Sequence, residues 1–266
     1  MEAVQLIKKI LSSSVSGEEF SWLEKSVVSA GENQRLLQIA FVTVPRNISG
    51  SVIRPDAKTI EHFLQLTGLS PEGWTIHQLA RLFILLHIDP KNEQEYIRSI
   101  NTLFETAEMN ELSALLGALP FLHYPENWIS RAKEGVRTNM GNVFDAIAFN
   151  NPYPSRYFDE DSWNQMVLKT IFGGKNIQRI YGIKQRTNRE LAFMISDFAH
   201  ERWAAGRPIA PEVWELVAPF MDDRILNDME KLFLSENKLE QSAARSACTH
   251  SDYEPAKELL KKYDHA

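Results

Sequence analysis

A single cysteine, Cys248, in 266 residues rules out an internal disulfide, so the fold must rest on its core and needs no oxidising compartment. Apolar runs are short. None approaches the roughly 18 residues of a membrane-spanning helix, which excludes direct insertion by such a segment. The N-terminal MEAVQLIKKILSSSV places an acid before its lysines and lacks a long apolar stretch with a cleavage site, a poor match to a secretory signal. The expectation is a soluble, cytoplasmic protein. Basic charge is in deficit as well: 29 Lys and Arg against 35 Asp and Glu leave a net charge of −6, which argues against a general nucleic-acid binder. No convincing period-two alternation is present, so no strand exists to carry a dinucleotide fingerprint; G-x-S-x-G and the P-loop are also missing. Gly173-Gly174 before Lys175 reads as a helix stop rather than a phosphate loop.

What the chain has is helical period. Apolar residues make up 44%, enough for a sizeable core, and they recur at three- and four-residue spacing. Stripes run through Val4–Leu11, Phe20–Val28, Leu36–Phe41 and Ile60–Leu66, with a loop over 45–55. Thr75 is a fitting N-cap for a helix that stops before Pro90. Further helices are expected over 92–109, 110–118, 125–137 and 142–149. After these come 159–172, a helix opened by Asn188 and closed by Gly206, one led by Pro211, then 222–235, 238–248 and 252–263. The fold class is all-α. Short helices joined by short turns suggest antiparallel pairs stacked into an α-α superhelix or solenoid, with EQSAARSACTHSDYEPAKELLKKY as a degenerate HEAT-like repeat. The organisation expected is one helical domain over 1–266, with a soft internal boundary near 150 at the proline-rich NPYP linker, separating blocks 1–149 and 150–266.

Two stretches carry more polar, aromatic and proline residues than packing requires: NNPYPSRYFDEDSWNQMVLK and HERWAAGRP. The second opens like a zincin helix, but Ala204 stands where the second histidine of H-E-x-x-H belongs, so the zinc-protease reading fails. Asp197, His200 and Glu201 can share one helical face. With Glu160 they could form a metal or acid–base site, or simply a hydrogen-bonded cluster near Arg202 or Arg207. The remaining histidines (His62, His77, His87, His123, His250 and His265) have no ligand spacing. Around Trp163 two readings stay open. In one, Trp163 is core and Asn164 satisfies a loop carbonyl. In the other, Glu160, Asn164 and Lys169 line a groove with Tyr153 and Tyr157 from the preceding loop, a composition suited to a planar organic molecule or a protein partner. Trp203 adds apolar contact, and His200 and Arg207 add orienting polar groups. No cofactor is implied.

The blocks FNNPYPSRYFDEDSWNQMVLKTIF, NRELAFMISDFAHERWAAGRP and EVWELVAPF resemble the EboA family, whose members are described as metabolite traffic proteins of a bacterial operon. The resemblance covers roughly 149–220, and the N-terminal half is similar in helical character and length. The positions that carry it are Asn151, Pro152, Tyr153, Pro154, Tyr157, Phe158, Glu160, Trp163, Asn164, Gln165, Lys169, His200, Glu201, Arg202, Trp203 and Arg207. It implies an accessory, non-enzymatic role in moving a secondary-metabolite precursor from the cytoplasm toward the periplasm. It also implies partner proteins of the same operon, a membrane prenyltransferase-like protein among them, and an aromatic or hydrophobic metabolite as cargo.

Overall fold

A computed structural model describes residues 2–264, with side chains through Tyr263; His265 lies outside the described residues. The described chain is all-helical, with one isolated backbone bridge between Val52 and Thr75 as its only extended pairing. Among the described residues no helix is long and apolar enough to cross a membrane. The chain divides into two compact units, 1–159 and 160–266.

The first unit contains α1 (Glu2–Ser14), α2 (Gly17–Ala30), α3 (Gln34–Asn47), α4 (Ala57–Thr67), α5 (Ile76–Leu85), α6 (Glu93–Thr106), α7 (Met109–Ala118), α8 (Ile129–Arg137), α9 (Gly141–Ala148) and α10 (Tyr153–Tyr157). Its centre is α5, whose Leu79–Leu85 run is buried on every side, as a helix apolar all round should be. It packs against α1, α2, α3 and α7. Thr75 caps it, with Gln78 closing a reciprocal capping box.

The sequence placed the end of α3 near Pro45, yet α3 continues to Asn47. A proline inside a helix has no N–H for the carbonyl four residues back. Here that carbonyl belongs to Phe41, and Arg81 of α5 fills the gap: its Nε donates to Phe41 O at 3.1 Å. The same guanidinium reaches Glu111 of α7 at 3.3 Å with both side chains buried. Burial pushes the Arg81 pKa down, against the opposing pull of Glu111 and Glu108. One side chain thus ties three helices together and makes the internal proline tolerable.

The second unit contains α11 (Glu160–Phe172), α12 (Arg189–Ala204), α13 (Asp223–Phe233), α14 (Lys238–Thr249) and α15 (Glu254–Asp264), with 3-10 turns at Pro211–Leu216 and Ala218–Phe220. The segment led by Pro211 is therefore a tight 3-10 turn. Its core includes Trp163, Val167, Leu191, Ile195, Trp214, Ile225, Met229 and Leu232. The small buried residues Ala244, Ala247 and Cys248 let α14 approach α13 and the Pro211–Leu216 turn closely. Burial raises the Cys248 thiol to about 11, the setting of a packing residue rather than a nucleophile.

Candidate functional site

The distinctive residues fall to both units, and each unit gives its share a definite place. In the first, the segment read as a linker is the short helix α10. Asn151 organises it. Its buried amide donates to Leu116 O at 3.1 Å and Ala146 O at 3.0 Å, while its Oδ1 accepts the Tyr153 N–H at 3.0 Å. Asn150 precedes it in the left-handed region, φ 53°, which asparagine tolerates better than most residues. Tyr153 is fully buried, donates its hydroxyl to Pro125 O and packs on half-buried Tyr157 with ring centroids 4.7 Å apart. Burial drives the Tyr153 pKa upward, so the phenol stays protonated. Tyr153 therefore contributes packing and a hydrogen bond to its own unit.

In the second unit, Trp163 is fully buried on α11 with the Arg186 guanidinium 4.8 Å above its ring. Asn164, also buried, meets a side-chain amide rather than a loop carbonyl. It and Asn188 exchange hydrogen bonds of 3.2 and 2.8 Å. Asn188 is at the same time the N-cap of α12, accepting the Leu191 N–H at 2.8 Å. Asn164 thus fixes where α12 begins. Glu160 is exposed on the first turn of α11. Lys169 is half-buried, and desolvation holds its pKa below the ordinary lysine range.

The helical spacing that grouped Asp197, His200 and Glu201 does not describe their partners. Asp197 pairs with Arg224 of α13. His200 Nε2–H donates to Asp228 Oδ1 at 2.5 Å, and Ser196 donates to Asp228 Oδ2 at 2.6 Å. Asp228 and Ser196 are buried, whereas the His200 side chain is 51% exposed. Glu201 and Arg207 are exposed, and Arg202 is spent on Pro208 O at 2.9 and 3.0 Å, closing the turn after α12. Half-buried Trp203 stacks on buried Trp214 at 5.8 Å, with Lys231 Nζ 4.1 Å over its ring and His200 5.7 Å away. Among the described residues no group of three His, Cys, Asp or Glu side chains could hold a metal ion.

Sequence reasoning missed Asp228, the carboxylate that holds His200, because it lies 28 residues away on another helix. The only signal was on the apolar face of α13, where the buried Asp228 interrupts the run between Ile225 and Met229. The outcome is a division of labour. Tyr153, Trp163 and Asn164 are internal to their units, and His200, Glu201, Trp203 and Arg207 are presented at the surface of the second.

A family model described as metabolite traffic protein EboA matches residues 3–218, extending the likeness across the N-terminal half. No curated protein and no solved structure matches the chain. With most of its length inside that match, the chain belongs to the EboA family of metabolite traffic proteins.

Proposed function

We propose that the protein is a non-catalytic accessory of metabolite traffic, a scaffold or carrier acting on a secondary-metabolite precursor on its way from the cytoplasm toward the periplasm. Its partners are proteins of the same operon, including a membrane prenyltransferase-like protein, and its cargo is an aromatic or hydrophobic metabolite. Antiparallel pairs such as α2–α3 and α13–α14 are the units from which a HEAT-like array would be assembled. The observation that carries the reading, beside the family itself, is the presentation of His200, Glu201, Trp203 and Arg207 at one end of α12. An indole with an imidazole and an ammonium against it, beside exposed Glu201 and Arg207, is partner-binding material. The second reading, an acid–base enzyme on Asp197, His200, Glu201 and Glu160, draws on one feature only: a buried carboxylate orients the exposed imidazole, and that carboxylate is Asp228.

The test is affinity capture from the native host with wild type and a Glu201→Lys/Arg207→Glu variant, two exposed positions whose reversal leaves the core untouched. Wild type should retain the prenyltransferase-like protein and the variant should lose most of it, with unchanged circular dichroism. Equal retention by both would remove this face from the account.

A further inference from the structure

Within the second unit, a cavity of about 280 Å³ lies beside the Pro211–Leu216 turn and the C-terminal end of α14. At roughly 30 Å³ per water it has the volume of about nine waters, suited to a ligand on the order of ten non-hydrogen atoms. Its lining is apolar at Leu216, Ala218 and Ala247, all buried. Its polar groups set the chemistry. Lys184 Nζ stands 3.4 Å from Glu215 Oε2, so the two charges offset each other. Both side chains reach solvent, 73% and 44% exposed, so a charged ligand would meet one attractive and one repulsive group and gain little from the pair.

Three further polar side chains line it, Thr187, Ser246 and His250; the Ser246 hydroxyl can donate or accept, and the other two ask for a donor. His250 Nδ1 lies 2.8 Å from Ser246 O. A carbonyl only accepts, so Nδ1 carries the proton and Nε2 of the neutral ring is an acceptor. Thr187 spends its hydroxyl hydrogen on Lys184 O at 3.1 Å, leaving its oxygen to accept.

We propose that this cavity binds a small, uncharged, mostly apolar molecule bearing a hydroxyl that donates to the acceptors His250 and Thr187. The proposal rests on the metabolite-traffic reading only in making such a molecule the cargo. Lys184, Thr187, Glu215, Leu216 and Ala218 lie inside the family match, and Ser246, Ala247 and His250 lie beyond its end at 218. The C-terminal helix α14 therefore completes the site from outside the shared region and sets this chain's ligand preference.

Calorimetric titration of the full chain with naphthol, naphthalene and naphthoate tests the assignment. Naphthol should bind, naphthalene about fivefold more weakly for want of the hydrogen bond, and naphthoate weakest. Ser246→Phe should abolish naphthol binding by filling the space. The exposed His250→Ala should weaken naphthol about fivefold while leaving naphthalene unchanged, which keeps the test decisive should the phenylalanine variant not fold. No binding of naphthol, tighter binding of naphthoate, or indifference of naphthol to His250→Ala overturns the proposal. The Glu201→Lys/Arg207→Glu variant should bind naphthol as wild type does. Lost naphthol binding with intact capture therefore sinks the cavity alone, and failed capture with naphthol bound sinks the partner face alone.

Discussion

Arg81 shows how one residue can hold a core that helical period alone would leave with a defect. Pro45 deprives Phe41 O of its helical donor, and the buried Arg81 guanidinium supplies one while neutralising Glu111. Glu111 Oε2 in turn accepts the Glu108 N–H at 3.1 Å, the start of α7. Arg81→Met would leave a buried carboxylate without its counter-charge and a carbonyl without a donor, a loss of about 3–5 kcal/mol. The double variant Arg81→Met/Glu111→Met removes both charges and should cost less than Arg81→Met alone, because two apolar side chains need no counter-charge. Urea denaturation of the two variants checks this, and a double variant weaker than the single would refute the clamp. The same residues mark what the sequence could not show. Helical spacing reads neighbours on one helix, whereas Glu111 is 30 residues from Arg81 and Asp228 is 28 from His200. Partners across helices follow from packing, and the apolar stripe says that helices pack without saying which faces meet.

Elements were far more legible, because helix starts are chemical events confined to four residues. Thr75 and Asn188 were read from the sequence as helix starts, and both accept the expected backbone N–H. The NPYP segment reads as a linker in sequence because Asn151, not a periodic stripe, builds α10, and its bond to Leu116 O spans 35 residues. At α2 the start carries a pH dependence. Glu19 Oε2 accepts the Ser16 N–H at 2.7 Å in a capping box, and Oε1 accepts the Ser49 N–H at 2.6 Å, tying the loop after α3 to the N-terminus of α2. These bonds to the charged form lower its pKa from 4.5 to about 2. A depressed carboxylate stabilises the fold fully above pH 4.5 and loses that contribution as pH falls toward about 2. The stability gap between wild type and Glu19→Gln should accordingly be constant above pH 5.5 or so and shrink steadily on acidification. Denaturant midpoints of both proteins across the acid range measure it. A gap that widens in acid would reverse the sign and dismiss the carboxylate as the cause.

At the scale of the molecule, the family match and the physical unit end in different places. The match stops at 218, but the second compact unit runs from Glu160 through α15. What lies beyond 218 is core to what lies before it. Asp228 of α13 holds Ser196 and His200 of α12, Arg224 pairs with Asp197, and α14 packs on the Pro211–Leu216 turn. Ile225, Met229 and Leu232 are all buried. At ~1.5–3 kcal/mol for each such side chain, those three alone amount to ~5–9 kcal/mol, comparable with the ~5–15 kcal/mol that holds a whole domain together. A chain ended at Phe220 should therefore lose the order of α11 and α12 rather than survive as a minimal family core. Amide hydrogen exchange gives the answer directly, with α5 of the first unit as internal reference. Protection across α11 and α12 should collapse in the shortened chain, because α12 would lose its packing on α13 and Ser196 its acceptor, and α11 packs on α12. Protection equal to that of the full chain would mean that 160–220 is self-sufficient and that α13–α15 are an appendage. The cavity wall contributed by Ser246 and His250 would then have no structural claim on the family's shared region.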